Sequence, residues 1–312
     1  MTPELWLEAP AAGSGIYTGP IVDSHIHLFD PRRPQGIPWP PKGDAIHRPT
    51  LPADYFAVSK KHGVTGAIAV EASPWHDDNF WLLETLRDDA RMLGFVGNLL
   101  PGAGDFLPTL ERLAAEPLFL GIRCGNLWDR DLREDVRNPA FIDGLRALAK
   151  SGRSLDSANP DARLIEALLE IAHQVPELRI VVDHLPGAVI PAHQEQTFLH
   201  NLRALAAHPG VFAKISQIPL NASDSAQARN RLDTLWELFG EDRCLFGSDW
   251  PNSLRAAPFR DILGSALWFM QHKTAAAKTK FFSTNSARAY RCNGIRDRRC
   301  LPLGRGCHGA TF

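Results

Sequence analysis

Eight short apolar runs alternate with longer amphipathic stretches along this chain, and that alternation restricts the fold more than any other feature. The runs occupy 20–27, 65–73, 92–100, 119–125, 153–157, 179–184, 211–216 and 243–248. Apolar runs of this length separated by helical spacing predict parallel strands joined by crossover helices. Helical patterns fall at 52–62, 78–90, 105–115, 138–150, 195–207, 226–239 and 256–271. One more follows Asn159-Pro160-Asp161, where Leu164, Ile165, Leu168, Leu169 and Ala172 form a single apolar face. Eight strands, each followed by a helix, is the count of a TIM (β/α)8 barrel. The 312 residues suit one such barrel of about 250 residues with extensions. We expect one domain over 1–290 and a basic, disordered tail over 291–312, where arginine, glycine and cysteine replace the apolar periodicity.

Composition narrows the function. A formal net charge of -1 leaves no basic footprint for nucleic acid. No run approaches the roughly 20 apolar residues of a membrane span. Glu4 and Glu8 stand where a signal peptide carries positive charge, so a cytoplasmic location is expected. The five cysteines are scattered without a CxxC pair, which argues against a zinc finger or a disulfide framework. Cys124 and Cys244 fall in strands and read as small buried apolar residues.

In a barrel of this kind chemistry sits at the C-terminal ends of the strands, and there the ionisable residues gather. His25 and His27 end the first strand, Arg123 the fourth, Asp156 the fifth, His184 the sixth, and Lys214 and Ser216 the seventh, while Asp249 follows the eighth. Strand alternation puts His25 and His27 on one face, together with Asp23, which is expected to support them from the barrel floor. Two adjacent imidazoles can hold a divalent cation or polarise one carbonyl oxygen. Asp249 is the carboxylate available to take a proton from water. The same alternation points Asp183 and His184 to opposite faces. Asp156 reads as an anchor for Arg123, and Ser248 and Asn252 as flanking groups that orient Asp249. Arg123 and Lys214 offer a clamp for a carboxylate, although Lys214 more readily salt-bridges within the mouth, and Trp39, Trp75 and Trp250 offer rings that can stack on a sugar. The proline-rich segment 30–52, carrying Trp39, His47 and Arg48, is either a substrate lid or a wrapped surface loop.

The segments IVDSHIHLFDP, FLGIRCG, IVVDHLPGA, VFAKISQI, RCLFGSDWP and TNSARAY, in this order over roughly 20–290, resemble the amidohydrolase superfamily. The similarity is to its amidohydrolase-related branch of lactonases acting on sugar-acid lactones and 2-pyrone-4,6-dicarboxylate. That resemblance implies a distorted TIM (β/α)8 barrel and hydrolysis of a lactone ring. It implies that His25, His27 and His184 polarise the carbonyl, that Asp249 activates water, and that Arg123 binds substrate. Lys214, Trp250, Asn252 and Trp75 complete the expected substrate-binding set. His25, His27 and Asp249 are the candidate ligands of a single zinc or manganese ion. Metal-dependent members of the superfamily add a histidine from strand five, or a lysine or glutamate from strand four. This chain has Arg123-Cys124 and Leu155-Asp156-Ser157 there. The expectation is therefore metal-independent catalysis or one weakly bound divalent metal, acting on a small-molecule lactone or sugar acid. The alternative is a metal-dependent decarboxylase on the same barrel.

Overall fold

A computed structural model describes residues 17–220 and 225–292. Its elements follow in the order β1 (Ile21–Ile26), α1 (Pro52–Ser59), β2 (Val64–Val70), α2 (Asp77–Arg87), β3 (Met92–Gly97), α3 (Phe106–Ala114), β4 (Phe119–Gly125), α4 (Leu132–Asp135), α5 (Pro139–Lys150) and β5 (Ser154–Ala158). They continue with α6 (Ala162–Gln174), β6 (Arg179–Val182), α7 (Glu195–Ala206), β7 (Val211–Ile215), α8 (Ala226–Phe239), β8 (Cys244–Phe246), α9 (Phe259–Met270), α10 (Ala275–Thr279) and α11 (Asn285–Tyr290). All eight expected strands form, pair in parallel, and lie in sequence order from β1 to β8.

Local chemistry sets the boundaries. The Asp161 side chain accepts from the Leu164 amide and starts α6, whose Leu164, Ile165, Leu168 and Ile171 are buried. Asn138 caps α5 with Pro139 in its first turn, and Ser225 caps α8. The strands bury both faces, one against the helices and one into the barrel, where Val22, Ile68, Leu93, Val181, Phe212 and Leu245 pack together. Cys124 and Cys244 are buried, and burial pushes both thiols up to about 12, which removes them as nucleophiles.

The barrel closes irregularly because β8 is only three residues long. Its seam with β1 is made beyond the strand, where the Asp249 amide donates to the His25 carbonyl (2.9 Å) and the His27 amide to the Trp250 carbonyl (2.7 Å). The Ser24 hydroxyl adds a bond to the Phe246 carbonyl (2.5 Å). β1 also carries an extra residue: Asp23 pairs with Ala67 and Ile26 with Ala69, three steps against two. A bulge of this kind reverses the side-chain alternation. Asp23 therefore does not share the face of the histidines as expected. Its carboxylate accepts from the Tyr55 hydroxyl of α1 (2.7 Å) and the Ser248 amide (2.8 Å), tying the outer helix to the seam.

The opposite end is covered by the last helices. Asn285 donates to the carbonyls of Glu241 and Cys244, and Arg179, first in β6, donates to the Ala289 carbonyl (2.7 Å). From residue 293 onward the expected basic tail lies outside the described residues. Among the described residues no helix is long and apolar enough to cross a membrane.

Candidate active site

Five strands are followed at the mouth by non-glycine residues with left-handed backbone: Trp128 and Asp129 beyond β4, Asn159 beyond β5, His184 beyond β6, Gln217 beyond β7 and Asp249 beyond β8, with φ between 52° and 61°. Such residues are strained, and strain of this kind gathers where function over-determines the backbone. Here it swings side chains inward that strand alternation would send elsewhere. His184 is the clearest case. Strand alternation predicts opposite directions for Asp183 and His184, yet both reach His25: the Asp183 carboxylate lies 3.6 Å from His25 Nδ1, and the His184 ring centroid 4.5 Å from that of His25.

Three imidazoles and one carboxylate converge. His25 Nε2 is 3.3 Å from His27 Nε2, and Asp249 Oδ1 lies 3.2 Å from His27 Nε2, 3.7 Å from His25 Nε2 and 4.0 Å from His184 Nε2. Second bonds hold each group: His27 Nδ1 meets the Val70 carbonyl (3.0 Å) and His184 Nδ1 the Ser216 hydroxyl (2.7 Å). Gln217 and Asn252 both donate to Asp249 Oδ2 at 2.7 Å. Asn252 thus orients the carboxylate instead of standing free for substrate, whereas Ser248 caps the Trp250 amide and leaves Asp249 alone. Burial pushes His25 well below the ordinary imidazole value and lowers His184 too, so both are neutral at pH 7. Burial alone would raise Asp249, but His184 and the hydrogen bond from His27, with His25 behind them, hold it far below the carboxylate range.

The node between His25 Nε2, His27 Nε2 and Asp249 Oδ1 calls for positive charge. The Val70 carbonyl can only accept, so His27 Nδ1 carries a proton and a neutral His27 would turn a lone pair toward the carboxylate. A proton on Nε2 or a bound cation resolves the conflict. A tetrahedral ion with ligands at about 2.0–2.1 Å spaces them roughly 3.3 Å apart, close to the separations found here. His25, His184 and Asp249 also offer ligand atoms within 4.8 Å of one another. The donor set fits a single divalent cation, with His27 and His184 both within reach.

Other expected site residues are placed differently. Lys214 is no carboxylate clamp: it is fully buried below His25, 2.8 Å from both Asp156 and Asp183. Asp156 anchors Lys214, not Arg123. Arg123 Nε donates to Glu71 Oε1 (2.7 Å) and its Nη2 to the Glu71 carbonyl (2.9 Å), with Asp183 3.9 Å from Nη1. Trp250 is buried against Tyr55, ring centroids 5.2 Å apart, because the residue after Asp249 continues the seam and points toward α1. Trp75 is 37% exposed and borders a shallow cleft shared with Glu71, Arg33 and Trp81. Segment 30–52 lies across the mouth, with Trp39 edge-on to His27 at 5.4 Å. Arg33 pairs with Asp78, Arg255 pairs with Asp44 (2.7 Å), and His47 holds the Pro40 carbonyl (2.8 Å), fixing the segment there.

Glu71, Gln217 and Trp128 are site residues that the sequence reading did not single out. Trp128 donates its indole N–H to the Glu71 carboxylate (3.2 Å). Glu71 directly follows the apolar run of β2, the same signal that marked Arg123, whereas Gln217 carries no charge to draw notice.

The amidohydrolase family model matches residues 22–292. An L-fucono-1,5-lactonase of Burkholderia ambifaria is 29% identical over 280 residues, spanning 86% of this chain and 95% of that protein. A zinc-bound amidohydrolase of Burkholderia multivorans superposes with a TM-score of 0.75 at 26% identity, over 88% of this chain and 100% of that one. A probable 2-pyrone-4,6-dicarboxylic acid hydrolase of Acinetobacter baumannii shares the fold, with a TM-score of 0.68 at 18% identity, over 87% and 99%.

Proposed function

The chain belongs to the amidohydrolase family, and from that membership and the geometry of the mouth we propose that it is a hydrolase opening the ring of an uncharged, polyhydroxylated sugar-acid lactone. The observation that carries this reading is the convergence of His25, His27 and His184 on Asp249 at the mouth of the barrel. Water adds to the lactone carbonyl carbon, and the carbonyl oxygen gains negative charge that the imidazole face stabilises. Asp249 takes the proton released by the water and delivers it to the ring oxygen as the carbon–oxygen bond breaks, leaving a hydroxy acid.

A carboxylate held so far below its usual range is always ionised but is a weak base. The water therefore has to be made more acidic by its surroundings. A divalent cation bound by His25, His27, His184 and Asp249 would supply Lewis acidity toward the carbonyl oxygen and the water. The same residues place the carbonyl between the imidazoles and the carboxylate in either case.

Charge supports a neutral substrate. Glu71, Asp156, Asp183 and Asp249 face two buried cations, Arg123 and Lys214, and both cations are paired with carboxylates. A lactone bearing its own carboxylates would have to break the Arg123–Glu71 pair to find a protein cation for them. The decarboxylase alternative meets the same obstacle, since its substrate is a carboxylate. The relative in Burkholderia ambifaria carries the name of a lactonase for an uncharged sugar lactone.

Proton release measured across a panel of aldonolactones and carboxylated lactones, after chelation and with zinc or manganese restored, tests the reading. Turnover should favour the neutral lactones, and Asp249→Asn should lower it by about 10²–10⁴-fold with the fold retained. Full turnover in that variant removes the assignment. Preference for a dicarboxylated lactone removes the substrate class, and carbon dioxide release from a carboxylated acid favours the decarboxylase.

A further inference from the structure

Below the mouth, a second set of ionisable groups is sealed from solvent and takes no direct part in the chemistry above it. Lys214 of β7 is fully buried, which is strongly unfavourable for an ammonium unless it is paired. Its Nζ lies 2.8 Å from Asp156 Oδ2 on β5, 2.8 Å from Asp183 Oδ1 beyond β6, and 3.3 Å from Nδ1 of His25. Asp156 Oδ2 takes a further bond, of 2.6 Å, from the Tyr290 hydroxyl. Tyr290 ends α11 at the closed end of the barrel, where its ring packs with the inward-facing Val22, Val181, Phe212 and Leu245. A continuous line of polar contacts, Tyr290 to Asp156 to Lys214 to His25, thus crosses the barrel from its closed end to an imidazole of the site.

Two observations separate this line from packing. A ring that merely plugged the barrel would need no hydroxyl, yet this one enters an apolar cluster and finds a carboxylate. Burial, with Asp156 beside it, keeps the phenol protonated well above the usual tyrosine value, so it remains a donor. In addition, Asp156 Oδ1 has no hydrogen-bond partner among the described residues, so the orientation of this carboxylate rests on Oδ2 and its two donors. Without the hydroxyl, one donor would be left to fix the carboxylate, and the same ammonium has to hold the Nδ1 edge of His25. We propose that Tyr290 is a positioning residue of the hydrolytic site, its hydroxyl fixing Asp156 and thereby the Lys214 ammonium that sets the plane of the His25 ring.

Tyr290→Phe keeps the ring and its packing and removes only the donor. In the full chain, kcat on the best lactone should fall about tenfold or more with KM unchanged, as when an outer partner of a site histidine is lost. In metal-free buffer the ring ¹⁵N and ¹H signals of His25, assigned by their loss in His25→Gln, should shift. Unchanged His25 signals together with unchanged kcat overturn the proposal. Its kinetic arm rests on the lactone-hydrolase reading, whereas its spectroscopic arm does not. If the wild type opens no lactone but the His25 signals move in Tyr290→Phe, positioning stands and the functional reading falls. Should Tyr290→Phe not fold, Lys214→Arg keeps the charge and alters its reach. The His25 signals must then move, and their constancy overturns the proposal equally.

Discussion

The two oxygens of Asp249 are held by different groups. Oδ1 faces the imidazoles, while Oδ2 is held by the Gln217 and Asn252 amides at 2.7 Å each, so the carboxylate is kept from rotating away from the mouth, where the proposed reaction would have it deprotonate water. Replacing both amides, in Gln217→Ala with Asn252→Ala, should lower kcat/KM by about 10–100-fold while the imidazoles keep the carboxylate ionised, a split that steady-state kinetics on the neutral lactone reads directly. Glu71 has a different duty. It compensates a guanidinium that is 7% exposed, and Asp183, 3.9 Å away, is a poor substitute. Glu71→Ala should therefore destabilise the fold by about 3–5 kcal/mol, the cost of leaving a buried charge without its partner. Denaturant unfolding measures it, and a loss below about 1 kcal/mol would place Arg123 in contact with water.

At the scale of elements, the short β8 makes the seam between β8 and β1 the least regular join of the barrel and the one that builds the site. A Cβ added at Gly247 would lie 2.8 Å from His25 Cβ and 3.2 Å from Lys214 Cδ, so only glycine lets β8 pass this close to β1 and β7. Gly247→Ala should cost about 1–3 kcal/mol by overpacking and displace His25, lowering kcat together with the melting temperature; an alanine variant that matches wild type in both would show the seam to be loose. The same seam marks where the sequence stops being readable. All eight strands and the main helix after each were legible, because burial enforces periodicity along an element, whereas the four-residue α4 is too short to show any. The His25, His27, His184 and Asp249 set was legible as ionisable residues at strand ends, where packing offers no reason for them. What periodicity could not convey was direction beyond the last extended residue. The bulge in β1 turned Asp23 outward, left-handed backbone at His184 brought it in beside Asp183, and continuation of the seam buried Trp250. For Lys214 a salt bridge was the expected alternative to a substrate clamp, but its partners, Asp156 and Asp183, were not legible, because they belong to other strands and which of several acids meets which base is decided by barrel geometry.

Over the whole molecule, the barrel isolates an unusual number of charges, and its stability should record them. His25 and His184 are lowered by burial, so the unfolded chain binds their protons first and stability falls as pH drops through about 6.5. Asp156 runs the other way: burial raises it to about 6 despite Lys214, so it favours the folded state as pH falls from about 6 toward 4, and Asp23, raised too by burial, acts in the same direction. Asp183 and Asp249 are also desolvated but are lowered on balance, Asp183 by Lys214 and His25 and Asp249 by His184 and the bond from His27. Their contribution is complete above the unfolded aspartate value of about 3.9 and is lost as pH falls below it. The melting temperature measured with chelator present should therefore be highest near or above neutrality, decline gently between pH 6.5 and 4, where the raised carboxyls oppose the histidines, and drop steeply below pH 4. In Asp249→Asn the steep limb should be shallower, because one of the two fully buried, most strongly depressed carboxylates is gone. A melting temperature that climbs steadily from pH 7 to 5 would mean that the raised aspartates outweigh the buried imidazoles, and that burial does not lower His25 and His184 enough to govern this range.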